Sequence, residues 1–346
     1  MKARQSNIEV LRILLMLMML YLHFIKGVLW GGEGNLMSSQ PQSVQGVLYA
    51  FYVPCVVMVN AFVFISGWFG IRFSMKGFAN IAFQALFLNM ICFAMNFLLH
   101  GQAFSFGDIK NLFYLKGNGW FVKAYLFLFI LSPILNSFVE KASKQDFSRF
   151  LWLYWGFIFI AGWLFEYSTG WIRSGYSPIL FMGLYLQARY LRVYATEGVN
   201  LGKWTLKFSR RNLFFAYALP LLVAIALAYP SFFTSFPGAF AKGYCSPFIV
   251  VAAGALVLLF SKLKVPSSKF INSVARSVFA VYLIQESSFC VGYYNEYARA
   301  IFLRYDGVMF ALFVLAYVVV VFALCVLVDQ VRLFVWRRLE KRFFPV

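Results

Sequence analysis

Long apolar stretches, separated by short polar segments, follow one another along the whole chain. A membrane helix needs ~20 mostly apolar residues, and ten stretches approach or reach that length. The sixth is the weakest, because it is short and contains Gln187 and Arg189. The pattern predicts an all-α polytopic membrane bundle of about ten transmembrane helices. The stretches cover residues 8–25, 48–69, 78–99, 120–138, 150–166, 177–193, 213–229, 246–263, 276–294 and 308–328.

The composition excludes an ordinary soluble protein. Of the 346 residues, 62% are hydrophobic and only 12% are charged, and the mean hydropathy is +0.75. Soluble domains carry about 25% charged residues. The polar connections are too short to bury a core of their own. We therefore expect residues 1–346 to form a single integral-membrane domain.

Lysine and arginine concentrate at the two termini and after every second apolar stretch. Because cytoplasmic segments carry the excess of basic residues, this distribution predicts ten spans with both termini cytoplasmic. The expected location is the inner (cytoplasmic) membrane, crossed several times. The net charge of +19 then reflects contact with anionic lipid headgroups, and nucleic acid is not an expected partner.

Nothing in the sequence points to a metal or redox cofactor. The five cysteines are scattered, without metal-binding spacing or a disulfide framework. The two histidines, His23 and His100, are too few for a histidine metal cluster.

The first apolar stretch contains two ionisable residues, Arg12 and His23. Eleven residues make about three helical turns, so both side chains share one face, roughly 16 Å apart along the axis. Ionisable residues in membrane helices are costly and usually face the bundle interior. Taken alone, Arg12 is better explained as a snorkelling, topology-setting charge, and His23 is compatible with an interfacial hydrogen bond. Their shared face favours a functional pair.

The predicted topology places Glu9 and Arg12 near the cytoplasmic face, where Arg72 and Lys76 leave the second stretch. Together these residues would form a cationic inner mouth suited to an anionic group such as phosphate. The alternative is that Arg72 and Lys76 are simply basic residues of the inner side.

Gln285 and Glu286 lie about ten residues into the ninth stretch, near the predicted middle of the membrane. A carboxylate is expensive there unless it is paired or protonated. A hydrogen bond from His23 to Glu286 would fix the imidazole tautomer and raise its basicity. The alternative is a structural pair with Arg12, Lys123 or a polar neighbour.

Four residues are candidates for the acceptor side or for structural hydrogen bonds: Gln285, Lys123, Trp120 and Asn60. Lys123 and Trp120 open the fourth stretch near the outer interface, and ammonium groups and aromatic faces suit polyhydroxyl ligands. Trp120 also fits a plain interfacial anchor. Asn60, in the middle of the second stretch, is typical of interhelical hydrogen bonds.

Several of these segments resemble the bacterial membrane acyltransferase family 3, the O-acyltransferases of surface glycans. The first helix carries the most specific similarity, in NIEVLR (7–12) and in the R-x10-H spacing of Arg12 and His23. Weaker similarity extends over nearly all ten stretches. It includes VFISGWF (63–69), WFVKAYL (120–126) and SVFAVYLI (277–284).

The resemblance implies an acyl-CoA donor, expected to be acetyl-CoA, and a glycan or glycolipid hydroxyl as acceptor. The cationic inner mouth of Arg12, Arg72 and Lys76 would bind the donor's phosphates. His23 would act as general base, oriented by Glu286, and an acyl-histidine intermediate is the alternative. Membrane lipids are the remaining partners, and a homo-oligomer stays open.

Two positions depart from the family pattern. Many relatives have histidine where this chain has Gln285, and a closely spaced arginine pair where it has Arg72 and Lys76. No fused periplasmic hydrolase-like domain is expected. The rival functions are a transporter or flippase for a sugar-containing or anionic substrate, and a sensor or assembly subunit.

Overall fold

The computed structural model describes residues 5–30, 41–101, 105–113, 119–165, 172–201, 204–232 and 237–344. Within them the chain is an all-α polytopic membrane protein, and eight helical segments are long and apolar enough to cross a membrane. The helices are α1 (Ser6–Trp30), α2 (Gln42–Cys55), α3 (Val57–Phe69), α4 (Met75–His100), α5 (Phe106–Leu112), α6 (Trp120–Lys141), α7 (Lys144–Phe157), α8 (Pro178–Tyr194), α9 (Arg210–Ala228), α10 (Pro247–Ser261), α11 (Lys269–Val274), α12 (Val278–Gln285), α13 (Val291–Arg304) and α14 (Gly307–Phe343).

The eight spans agree with eight of the ten apolar stretches. The sixth stretch forms α8, whose 17 residues begin at Pro178 with Ser177 as N-cap. The ninth stretch is not one helix, so the interpretation of residues 276–294 as a continuous span is wrong. It contains a short 3-10 turn, α12, a break at residues 286–290, and the start of α13.

A short β-hairpin connects α8 to α9, which the hydrophobic pattern does not indicate. Its strands are β1 (Gly198–Leu201) and β2 (Trp204–Lys207), paired antiparallel with Gly198 opposite Lys207. At its base, the Lys262 ammonium lies 3.0 Å from the Glu197 carboxylate. This pair connects the hairpin to the end of α10.

The described helices group into two compact units. The first contains residues 1–11, 46–73 and 127–267. Here α3 packs on α8 and α10, and α10 packs on α9. Gly67 of α3 lies so close to α8 that a Cβ would stand 2.5 Å from the Tyr185 carbonyl oxygen. Small residues at such contacts let membrane helices approach closely.

The second unit contains residues 12–45, 74–126 and 268–346. In it α12 packs against α4 and α14, and α13 packs against α14. Helix α14 has 37 residues, about 55 Å at the α-helical rise, which exceeds the ~30 Å hydrocarbon thickness. Near its polar end, Arg332 forms a buried bidentate ion pair with Asp329, at 2.8 and 2.7 Å.

Candidate active site

Helix α1 carries Arg12 and His23 on one uninterrupted helix. It is rich in Leu and Met, which form helices well, and its apolar side chains suit a lipid or protein environment. Continuity preserves the separation of roughly 16 Å along the axis between the two residues. At its beginning, Asn7 donates from Nδ2 to the carbonyls of Phe260 and Leu263, at 2.9 and 3.1 Å. Asn7 thereby connects the start of α1 to the end of α10.

The His23 ring is buried and contacts two oxygen acceptors through a single nitrogen. Its Nδ1 lies 2.5 Å from Oε1 of Gln285 and 3.1 Å from Oε1 of Glu286. Neither a carboxylate nor an amide oxygen can donate, so the proton of the neutral ring belongs on Nδ1. The lone pair is then on Nε2. The neutral form of the ring would therefore have its acceptor nitrogen, Nε2, directed away from the Glu286 carboxylate.

The break after α12 explains how consecutive residues reach the same ring nitrogen. On a continuous helix, neighbouring side chains point about 100° apart. Helix α12 ends at Gln285, and Glu286 takes φ −88° and ψ 1° as its C-cap. Non-helical backbone at membrane depth is tolerated where protein or a watery cavity surrounds it. The change of direction places both acceptors beside His23.

Ser287 and Asn89 hold the break in place. The Ser287 hydroxyl donates to Oδ1 of Asn89 at 2.5 Å and accepts from the Phe289 backbone at 3.3 Å. Such local side-chain bonds compete with the helical hydrogen bonds of the backbone. Both Ser287 and Asn89 are fully buried. This pair was not predicted as part of the site.

Asn89 also joins the break to α5. Its Nδ2 donates to the carbonyls of Asn111 and Leu112, at 2.6 and 3.0 Å, which caps the end of this short helix. At the other end of α5, hydrogen bonds from Ser105 lower the pKa of the exposed Asp108 carboxyl. Hydrogen bonds are therefore present at both ends of α5, and its C-terminal end is bonded to α4 through Asn89.

The second half of α1 contacts α13 on both sides of His23 along the sequence. The Tyr294 hydroxyl donates to the Leu20 carbonyl at 2.6 Å. Gly27 lies against Asn295, whose Oδ1 would be 2.6 Å from a Cβ at that position. These contacts, one turn before and one turn after His23, restrict the movement of its ring relative to α13.

Two of the predicted donor-side residues, Arg72 and Lys76, lie just before and at the start of α4. The Lys76 ammonium is 2.5 Å from the Glu340 carboxylate, and both groups are partly exposed. Arg72 is exposed, next to Ile71. The Tyr185 hydroxyl and Asn136 hold Ile71 by its backbone N–H and carbonyl.

On α6, Lys123 is exposed and Trp120 is half-buried against the Phe121 ring. Asn60 is fully buried and donates to the Tyr244 carbonyl at 2.8 Å, as an interhelical hydrogen bond would. Glu9 is buried and Arg12 half-buried on α1. Of the predicted residues, the structure brings together His23, Gln285 and Glu286.

The comparisons with known proteins give one match. A family model described as an acyltransferase domain matches residues 5–329, which is nearly the whole chain and includes every residue of the His23 site. No curated protein and no solved structure matches the chain. The multi-pass helical architecture and this match agree with the resemblance carried by Arg12 and His23. The chain belongs to the membrane acyltransferase family 3.

Proposed function

We propose that this membrane acyltransferase transfers an acetyl group from cytoplasmic acetyl-CoA to a hydroxyl of a cell-surface or lipid-linked glycan. The observation that carries the proposal is the buried His23 ring, held through Nδ1 by Gln285 and Glu286. A histidine so held presents Nε2 to a substrate as a general base. The proposed location is the inner membrane.

The proposed reaction begins when Nε2 of His23 takes the proton of the acceptor hydroxyl. The hydroxyl oxygen bonds to the thioester carbonyl carbon, and an electron pair moves to the carbonyl oxygen. When that pair returns, the carbon–sulfur bond breaks, and the CoA thiolate takes the proton from the imidazolium. Glu286 stabilises the imidazolium while it carries that proton.

The donor-binding residues of this proposal are Arg12, Arg72 and Lys76, with Glu9 three residues before Arg12 on α1. Guanidinium and ammonium groups suit the phosphates of CoA. Arg12 carries most weight, because about 16 Å separates it from His23, a distance suited to an extended pantetheine arm. Lys76 would exchange a partly exposed ion pair with Glu340, which is worth about 0–1 kcal/mol.

For the acceptor side we propose Lys123 and Trp120 at the beginning of α6, with Asn60 as a structural residue. The acceptor itself is proposed only as a hydroxyl-bearing glycan or glycolipid. An acyl-histidine intermediate is the alternative route. It would leave radioactive acetyl on the protein when the acceptor is omitted.

The test uses the purified protein reconstituted in lipid vesicles with radiolabelled acetyl-CoA and candidate glycans. The proposal predicts label in the glycan and release of one CoA for each acetyl group transferred. Uptake of a sugar or organic anion into the vesicles, without CoA release, would identify a transporter instead.

A further inference from the structure

Among the described residues, the Gln285 carboxamide has a hydrogen bond at its oxygen and none at its nitrogen. Its Oε1 accepts the hydrogen bond from His23 at 2.5 Å. Its Nε2 is buried and has no hydrogen-bond partner among the described residues. The residue is only 3% exposed. A buried donor left unsatisfied costs about 1–3 kcal/mol, so this amide is suited to a ligand that brings an acceptor.

The position of this donor follows from the contact that holds the amide. The oxygen and nitrogen of a carboxamide are about 2.3 Å apart, so Nε2 of Gln285 lies within about 5 Å of Nδ1 of His23. The other amide near the break, Asn89, is already bonded at both its nitrogen and its oxygen. The Ser287 hydroxyl donates to Asn89. Gln285 therefore offers the His23 site an unused amide N–H.

We infer that Gln285 has two roles, with Oε1 holding His23 and Nε2–H donating to the carbonyl oxygen of the acyl donor. This inference rests on the proposed acetyl transfer. The carbonyl oxygen gains negative charge when the acceptor hydroxyl bonds to the thioester carbon, and it loses that charge when the thiolate leaves. A preorganised donor in a water-poor site stabilises this charge, and removing one such donor costs about 10²–10³-fold in kcat.

The variant Gln285→Glu separates the two roles, because glutamate retains an oxygen for the ring N–H but lacks the amide N–H. We expect kcat for acetyl transfer to fall about 10²–10³-fold, with little change in KM for acetyl-CoA. Gln285→Met, which lacks both groups, should lose at least as much. As a matched control, Gln330→Met should retain the rate, because the Gln330 amide is already bonded to Ser277 and Val326.

A spectroscopic measurement shows whether glutamate preserves the position of the ring. Only two histidines are present, so 15N-histidine labelling resolves the His23 ring, and His100→Ala assigns it. We expect Gln285→Glu to keep the Nδ1–H tautomer of the wild-type protein while losing activity. A rate within threefold of wild type would overturn the inference, and so would a loss accompanied by a changed tautomer, which indicates positioning alone. If the wild-type protein itself transfers no acetyl group, the proposed function fails first.

Discussion

The carboxylate of Glu286 lies 3.1 Å from Nδ1 of His23. The neighbouring Gln285, which is 262 positions from His23 along the chain, contacts the same nitrogen. This arrangement places a carboxylate at Nδ1 of the buried ring, and in the proposed function the other nitrogen, Nε2, meets the substrate. The carboxylate would stabilise the protonated ring, because its negative charge balances an imidazolium and a neutral amide does not.

Replacing Glu286 by glutamine should slow acetyl transfer about 10²-fold at saturating substrate. The new amide oxygen can still accept from Nδ1, so the ring stays in place and the loss reflects the missing charge. Steady-state kcat of the purified variant checks this expectation. Glu296→Gln on the exposed face of α13 is the matched control and should keep the wild-type rate. An unchanged kcat in Glu286→Gln would show that the carboxylate does not assist the reaction.

Arg12→Gln should raise KM for acetyl-CoA about tenfold, since one charge-assisted phosphate contact is worth about 1.5–3 kcal/mol. The KM for the glycan should change little. Arg149→Gln, on an exposed arginine of α7, provides the control. A raised glycan KM with a normal acetyl-CoA KM would place Arg12 on the acceptor side instead.

Ser287→Ala should destabilise the protein by about 1–3 kcal/mol and lower kcat, because it leaves the buried Oδ1 of Asn89 without its donor. The adjacent serine supplies a matched control, because Ser288 lies in the same break but is exposed. Thermal unfolding in detergent should show a lower Tm for Ser287→Ala than for Ser288→Ala. Equal values would mean that the Asn89–Ser287 bond does not hold the break.

Gly67→Ala should destabilise the protein, whereas Gly156→Ala should not. A Cβ at Gly67 would meet the Tyr185 carbonyl oxygen at 2.5 Å and the Ala188 Cβ at 2.8 Å, and overpacking costs about 1–3 kcal/mol. A Cβ at Gly156 meets no atom within 4 Å, and alanine favours the helix by roughly 0.5–1 kcal/mol. We expect a lower Tm for the first variant and an equal or higher Tm for the second.

The sequence predicted the helical membrane architecture because long apolar runs leave few other choices. It also indicated that His23 and Glu286 belong together, since a carboxylate at membrane depth needs a partner. The Gln285 contact was harder to foresee, because a continuous helix would point residues 285 and 286 in different directions. The break depends on Ser287 meeting Asn89 of α4, which is a tertiary contact without a local signal.

Two ion pairs of the second unit differ in how well residue spacing predicts them. Lys76 reaches Glu340 across more than 250 residues, so no spacing rule could pair them. The Asp329–Arg332 pair has an i, i+3 spacing that favours a helical contact, yet the basic pattern alone assigns Arg332 to the polar tail. Its nearly complete burial follows from packing in the second unit.

The most direct test compares His23→Gln with His100→Gln in the same acetyl-transfer assay. Both proteins should be matched for expression and thermal stability, so that the comparison reports chemistry alone. We expect His23→Gln to lose about 10²–10⁴-fold in rate, the contribution of a general base, and His100→Gln to retain the wild-type rate. Full acetyl transfer by a folded His23→Gln protein would show that His23 is not the general base.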